Sequence, residues 1–510
     1  MRDPRRSGGI RPILAALAAA STLSLAILTV RCGSSGSGGP STAAKKPAGP
    51  PPCEAGTLGL EAAPITREMR KRLSLPTDFR GGIVAVVYPG GPAAEAGILP
   101  NDVVEQVGSV RIGNDCELED AAFSRSCETA RVKVRRGSAA PIEMAVTPAD
   151  QNFFYDKLCR AGNVGGCYRQ GWALWVRNGG NGGDRTAALD LLHAACKSGS
   201  SDACAYQGLR LMNVANRGSD AIVALERACL LGNGAGCAHL GYLHATGKLV
   251  VKDDRRAAAR YVKACDLGDA RGCYNVALMA EEGRGGPKDM TRAAAKYDEG
   301  CRMGSSTACT NLGFLYERGH GVKVDKARAV ALYQRGCDGT SCQPPNSTGC
   351  VNAGRAYRDG LGVAKNAAHA ATIFQLACER KVDPEDPHSA ENRSRSCSLL
   401  GGLYLAGDGV AKDLVRGRRL SESACEQGDT FGCFNAAVTA TNGWGGERDL
   451  AKAASFLETA CEGGDGEGCN DLAAAYEKGS GVERDRRRAT ELYRKACELG
   501  FEKACPKKGR

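Results

Sequence analysis

The sequence predicts a multidomain chain, a small mixed β/α barrel followed by an all-α solenoid of repeated helix pairs. Three observations carry this reading. Cysteines recur at Cys159, Cys196, Cys229, Cys265, Cys301, Cys337, Cys378, Cys425, Cys461 and Cys497, and five of the nine intervals are 36 residues long. A fixed period of that length is the mark of a solenoid. Ahead of them, the β-branched runs Ile83–Val87 and Val103–Val107 flank a Pro-Gly-Gly turn and an Ala-rich stretch, which reads as short strands around a small helix. Aromatic residues make up 5% of the 510 residues, whereas glycine numbers 67. That composition suits many short helices in close contact rather than one large aromatic core.

Residues 1–31 begin with Arg2, Arg5, Arg6 and Arg11 and continue into an uncharged, weakly polar run from Ile13 to Val30. This is the pattern of a signal peptide or an uncleaved membrane anchor. Residues 32–54, rich in Gly, Ser and Pro, read as a tether. Cys32, closing the apolar segment, resembles the cleavage site of bacterial lipoproteins and is a lipidation candidate. Arg31 stands where that family has a small residue, so lipoprotein and uncleaved anchor both stay open. Either places the bulk of the chain on the extracytoplasmic side of a bacterial cell envelope, tethered to a membrane by anchor or lipid. The 25 cysteines agree, since so many point to an oxidising compartment. Net charge is +11, of which residues 1–54, with seven Lys/Arg and two Asp/Glu, hold +5, leaving +6 on the other 456 residues. No basic stripe with interleaved aromatics stands out, so nucleic acid is not an expected partner.

Residues 55–148 hold "TLGLEAAPITREMRKRLSLP", "GGIVAVVYPGGPAAEAGILPNDVV" and a closing "VTP". These stretches resemble the PDZ domains attached to HtrA-type envelope proteases. The resemblance implies a loop, Thr57-Leu58-Gly59-Leu60, that receives the carboxylate end of a peptide. Successive backbone N–H groups form an anion nest there, and glycine lets the backbone approach. The peptide then adds as an extra strand, with Leu118 and Ala122 lining the side-chain pocket. The plainer reading of Leu58 and Leu60 is that they are core residues of a strand. Pro64 removes one ladder donor. HtrA-type proteases carry a catalytic domain before the PDZ; this chain has neither Gly-x-Ser-x-Gly nor His-Glu-x-x-His.

From 149 to 510 each unit has the same internal order. A small residue stands four after the second cysteine of each pair, as at Gly171, Gly208, Gly241, Ala277, Gly313, Gly354, Gly401, Ala437 and Ala473. Glycine costs up to ~1 kcal/mol inside a helix, so close packing against a neighbouring helix must be the reason for it. A Gly-x-Gly turn follows in Gly319/Gly321, Gly360/Gly362, Gly407/Gly409 and Gly479/Gly481, then an N-cap at Asp325, Asn366, Asp413 or Asp485. No Lys-Ser/Thr accompanies these glycines, so they read as turns rather than phosphate loops. The pattern resembles the Sel-one-like subfamily of tetratricopeptide repeats, and the cysteine pairs resemble the Hcp-type cysteine-rich proteins. The resemblance implies an α/α superhelix used for protein contacts, and also penicillin binding with weak β-lactamase activity.

The paired cysteines are Cys159/Cys167, Cys196/Cys204, Cys229/Cys237, Cys265/Cys273, Cys301/Cys309, Cys425/Cys433, Cys461/Cys469 and Cys497/Cys505. A glycine and, in all but the last pair, an Asp, Asn or Ser between them end one helix and cap the next. The second cysteine then falls one turn into the new helix. A disulfide would therefore staple each repeat to its successor. Zinc prefers Cys-x-x-Cys spacing and often His, so no metal is expected, and no cofactor. Pairing stays open for Cys53, Cys116, Cys127, Cys337, Cys342, Cys350, Cys378 and Cys397. The eleven extra residues between Cys378 and Cys397 predict an exposed loop. Asn275, Asn311, Asn352 and Asn435 recur two residues after the second cysteine, where first helices line the concave face of tetratricopeptide arrays. They form either an amide ladder for a peptide backbone or local helix-start bonds. Two functions follow: a membrane-tethered scaffold for protein or peptide ligands, or a β-lactamase-like hydrolase by resemblance alone. Ser-x-x-Lys is absent, and Lys197-Ser198-Gly199 resembles the Lys-Thr-Gly of serine β-lactamases only at the ordinary repeat glycine.

Overall fold

The computed structural model describes residues 56–63, 81–112, 118, 121, 129–137, 139–177, 183–339, 345–383 and 388–505. The signal or anchor segment, the tether, Cys32, Cys53, Cys116, Ala122, Cys127 and Cys342 lie outside these residues. Among the described residues no helix is long and apolar enough to cross a membrane.

The N-terminal strands are β1 (Gly56–Thr57), β2 (Leu60–Ala63), β3 (Gly82–Val87), β4 (Val103–Val107), β5 (Val110–Arg111), β6 (Ala130–Arg135), β7 (Ile142–Val146) and β8 (Ala149–Asp150), with a short helix α1 (Pro92–Glu95) after β3. The sheet runs β2-β3-β4-β6-β7, with β5 beside β4 and every pair antiparallel. Strands β1 and β8 form a separate pair. Alternation sends Val132, Val134 and Val146 inward to meet Leu58, Ile98 and Val104, and burial of this apolar area drives the module together. Asp102 is buried, and its carboxylate accepts from both the Nε and Nη2 of Arg136, at 2.8 and 2.7 Å, and from the Leu99 N–H. A buried charge needs such pairing. The same guanidinium donates to the Gly97 carbonyl, tying the turn after α1 to the end of β6.

Helix α2 (Gln151–Arg160) leads into nine helical hairpins. The first helices are α3 (Val164–Arg177), α5 (Ser201–Leu211), α7 (Gly234–Thr246), α9 (Ala270–Glu282), α11 (Ser306–Arg318), α13 (Ser347–Asp359), α15 (Ser389–Ala406), α17 (Thr430–Asn442) and α19 (Gly466–Lys478). Their partners are α4 (Gly183–Lys197), α6 (Gly218–Leu230), α8 (Asp254–Asp266), α10 (Met290–Arg302), α12 (Lys326–Asp338), α14 (Ala367–Glu379), α16 (Leu414–Glu426), α18 (Leu450–Glu462) and α20 (Arg486–Glu498). At most junctions successive first helices touch one another more closely than successive second helices do. The array therefore curves with the first helices on its inner side.

In several first helices the small residue receives a ring from its partner. A Cβ on Gly241, Gly313 or Gly354 would stand 2.5, 2.9 or 2.4 Å from the rings of Tyr261, Tyr333 and Phe374. The turn glycines do two different jobs. Gly319, Gly360, Gly407 and Gly479 close their helices in the left-handed conformation, with φ of 71° to 75°. The second glycine of each turn lies on the first turn of the preceding second helix; a Cβ on Gly481 would stand 2.0 Å from the Leu450 carbonyl oxygen. The side chains of Asp325, Asn366, Asp413 and Asp485 then accept a backbone N–H three residues on.

The insertion before Cys397 departs in part from the expected loop: Lys381, Val382 and Asp383 lie outside any helix, but its second half does not. Residues Ser389–Ser396 form the start of the 18-residue α15 instead. Asn392 donates to the hydroxyls of Ser347 and Thr348, both at 3.0 Å, and Ser396 bonds the Asn392 carbonyl. The extra turns thus find polar partners on the preceding first helix. Both ends of the array are covered. Phe501, replacing the usual cap residue, is buried in the last core cluster, and the PDZ-like sheet sits against α2 and α3. Terminal repeats need such covers, because each repeat buries its face only against a neighbour.

Candidate peptide-binding surfaces

Two surfaces carry the predicted ligand residues. The first is the loop between β1 and β2. Thr57, Leu58 and Leu60 are 0%, 0% and 1% exposed. Leu58 and Leu60 lie in the sheet core, as the plainer reading of them expects. The Gly59 N–H donates to the Thr57 hydroxyl at 3.1 Å, and that hydroxyl shares a second hydrogen bond with Tyr155, also at 3.1 Å. The Leu58 and Gly59 carbonyls accept from Ala93 and Tyr88. Above the loop lies Phe154 of α2: a Cβ would stand 3.3 Å from its ring if built on Gly59 and 2.7 Å if built on Gly91. The anion nest expected at Thr57–Leu60 is therefore covered by the chain's own next segment, and its Gly59 donor is taken. Leu118 is fully buried in the sheet core rather than lining an open pocket. The edge of β2 remains, since β2 ends the sheet and only β3 pairs with it among the described residues.

The same segment joins sheet and solenoid. Tyr88, Phe154 and Tyr155 pack edge-on or tilted, with centroids 5.4 to 6.4 Å apart. The Tyr88 hydroxyl donates to Glu61, whose Oε1 also accepts from Arg169 Nε of α3 at 2.9 Å. Burial first, then the Glu61 carboxylate, pushes the Tyr88 phenol far above its ordinary range. Sequence reasoning missed this joint. The run "NFFY" at 152–155 was its one available signal, an aromatic cluster at a domain boundary in an aromatic-poor chain.

The second surface is the inner face of the solenoid. Residues two and five after the second cysteine form a stripe on each first helix that runs from buried to half-buried: Arg169 and Trp172, Tyr206 and Leu209, His239 and Tyr242, Asn275 and Leu278, Asn311 and Phe314, Asn352 and Arg355. The four predicted amides differ. Asn275, 4% exposed, donates to the Arg271 carbonyl of its own helix at 2.7 Å, a local bond that takes it out of the ladder. Asn311 donates to Tyr297 at 3.2 Å. Asn352 is half-buried and makes no side-chain hydrogen bond among the described residues, and the Asn435 Nδ2 is covered without an acceptor. The structure therefore does not present the four as one equivalent row.

The cysteines hold this face in shape. Cys159 is disulfide-bonded to Cys167, Cys196 to Cys204, Cys229 to Cys237, Cys265 to Cys273 and Cys301 to Cys309. Towards the C-terminus Cys425 is bonded to Cys433, Cys461 to Cys469 and Cys497 to Cys505. Two pairs that the spacing left open, Cys337 with Cys350 and Cys378 with Cys397, are bonded across the insertions. At a typical joint Cys265 ends α8, Gly268 turns left-handed, the Asp269 side chain caps α9 by accepting from Arg271 N–H, and Cys273 follows one turn in. Cys204, Cys237, Cys433 and Cys469 occupy the same place in their helices and are fully buried, whereas Cys167, at the first joint, is half-buried. The last joint departs from the expected plan. Cys505 does not lie inside a new helix but follows a single 3-10 turn, Glu502–Ala504, because Phe501 supplies no side-chain cap there.

These bonds also decide what the joints can do chemically. Cys265, Cys273 and Glu299 lie close enough to share an ion, but both sulfurs are committed to the bond between them. Lys197-Ser198-Gly199 is likewise a helix end, with the Ser198 and Gly199 N–H groups donating to Ala194 and Cys196. Nearby, burial and then Arg271 hold His239 at about 4, well below an ordinary histidine, so it sits neutral on the inner face.

Comparison with known proteins agrees with this architecture. The Sel1 repeat family matches at 234–269, 270–304, 306–341, 347–382, 394–429, 431–465 and 466–501, and the PDZ domain family at 83–136. The structure adds two hairpins, α3/α4 and α5/α6, ahead of the matched seven. A Synechocystis protein named as the serine protease HhoB is 31% identical over 99 residues, covering 18% of this chain and 24% of that protein. A probable periplasmic serine endoprotease, DegP-like, of Chlamydia trachomatis is 32% identical over 80 residues, 16% of each. The chain thus spans a quarter or less of these relatives. Among solved structures, a Sel1 repeat protein from Oxalobacter formigenes is 19% identical over 65% of this chain and 91% of its own, with a TM-score of 0.45. Helicobacter pylori cysteine rich protein B is 31% identical over 26% of this chain and 99% of its own, with a TM-score of 0.23. The chain is a Sel1-repeat protein with a PDZ domain ahead of its solenoid.

Proposed function

We propose that the protein is an extracytoplasmic interaction scaffold, tethered to the envelope membrane through its N-terminal segment, whose solenoid presents its inner face to a protein partner. PDZ domains and Sel1 repeats are both interaction modules. The observation that carries the reading is the stripe on the first helices, over which no helix lies among the described residues, while every joint beneath it is closed by a disulfide. A surface held rigid before binding loses less ordering entropy on association. The bonds also argue for the compartment, since disulfides persist in oxidising surroundings. The PDZ module contributes a second surface, the edge of β2 away from β3, to which an extended peptide adds as a strand. Capture of a C-terminal carboxylate at Thr57–Leu60 requires Phe154 to leave Gly59, so the solenoid takes first place.

Site-specific photocrosslinking in the source cell tests this. A benzophenone side chain at Leu209 or Phe314 on the inner face is expected to give discrete adducts. The same group at Val223 or Leu230, exposed on α6, is expected to give none. Equal labelling from both faces, or none from either, would remove the scaffold reading.

A further inference from the structure

Arg355 of α13 stands out on the inner face. It occupies the position that carries Trp172, Leu209, Tyr242, Leu278 and Phe314 in the five preceding repeats. Its Nε is sealed from solvent with no acceptor. The two acids that act on it are hydrogen-bonded elsewhere: Asp359 accepts twice from Arg358, at 2.7 and 2.8 Å, and Glu317 accepts from the Tyr333 hydroxyl at 2.6 Å. Burial, then the like charge of Arg358, holds the Arg355 guanidinium below its ordinary value, with Arg395 adding to the effect and Asp359 and Glu317 opposing it. One repeat back, Arg318 lies over the Phe314 ring at 4.1 Å and has no carboxylate partner among the described residues. Arg318 and Arg355 both act on the Tyr333 phenol, so both guanidinium groups lie in the neighbourhood of one hydroxyl. Asn352, one helical turn before Arg355, offers a free amide.

A desolvated guanidinium whose neighbouring carboxylates are hydrogen-bonded to other groups keeps donors for a further anion. We propose that Arg355, Arg318 and Asn352 form a carboxylate-binding subsite on the inner face, which receives an acidic segment of a peptide partner. The guanidinium fork matches a carboxylate in two parallel hydrogen bonds, and the apolar positions at Leu278 and Phe314 lead up to it along the face. The ligand is thus an extended segment with Asp or Glu at one end and apolar residues at the other. This deepens the scaffold reading and rests on it.

The test uses the oxidised full chain and two fluorescein-labelled peptides, one of mixed Asp and Glu after Leu and Phe, the other its Asn/Gln counterpart. Anisotropy is expected to show at least about tenfold tighter binding of the acidic peptide. That preference should be lost in Arg355→Met, partly kept in Arg355→Lys, and unchanged in Arg292→Gln on α10. Since Arg355→Met breaks no hydrogen bond, it is expected to melt no lower than the parent, and the acidic peptide should raise the melting temperature of the parent only. Equal binding of both peptides by the parent overturns the subsite while leaving the photocrosslinking test untouched. So does an undiminished preference in Arg355→Met. The parent comparison needs no variant, so a folding defect cannot mask the outcome.

Discussion

The PDZ loop and the inner face at Arg355 are opposites. At Thr57–Leu60 the Gly59 donor is taken by the Thr57 hydroxyl, and Phe154 fills the space above it. At Asn352 and Arg355 the groups are partly sheltered and make no side-chain hydrogen bond among the described residues. A motif associated with binding is closed in one place, while a departure from the repeat pattern leaves unpaired charge in another. Residue type marks where a ligand has room in principle; occupancy of hydrogen-bonding groups marks where room remains.

The largest expected effect breaks one region and spares the other. Each short staple contributes about 2.5 kcal/mol in the chain-entropy treatment. Full reduction should therefore abolish cooperative melting of the solenoid, while hydrogen exchange in β3 and β4 stays slow. Cys301→Ser with Cys309→Ser alone should cost roughly 2–3 kcal/mol in a denaturant titration. A second test opens the closed loop. Phe154→Ala should destabilise the joint by about 3 kcal/mol and give the PDZ module a preference for free-carboxylate over amidated peptides that the parent lacks; no preference in the variant would mean that more than Phe154 closes the loop.

A third expectation concerns pH. His239 is held neutral in the fold at about 4, against an ordinary histidine near ~6.5 in the unfolded chain. Between these values the unfolded chain binds more protons. The stability tied to this residue is therefore complete above the unfolded value and is lost as pH falls towards 4, on the order of 3 kcal/mol. Over that window the stability of the parent should fall more steeply with decreasing pH than that of His239→Gln; equal slopes would mean that the histidine is not responsible.

The smallest effect separates neighbours on α15. A Cβ on Gly401 would stand 2.9 Å from the Ser421 Oγ and 3.1 Å from the Gly417 carbonyl oxygen, whereas Gly402 meets nothing nearer than 3.7 Å. Gly401→Ala should lose about 1–2 kcal/mol. Gly402→Ala should gain roughly 0.5–1 kcal/mol from helix propensity. Matching signs would mean that the helices do not approach at Gly401.

Much of this molecule is legible in its sequence because it is local. The period, the Gly-x-Gly turns, the Asp and Asn caps and the cysteine joints all relate residues within about one hairpin, where chain geometry leaves few choices. The small position four after each second cysteine is readable too, since a glycine inside a helix needs a packing reason. The tertiary structure alone decided which polar groups stay free. Thr57 meets Tyr155 across 98 residues of sequence, and Arg355 makes no side-chain hydrogen bond among the described residues while Arg358 and Tyr333 engage the acids that act on it. Away from the caps, hydrogen-bond occupancy depends on contacts between helices and domains as well as on the local chain, so the local pattern alone does not encode it.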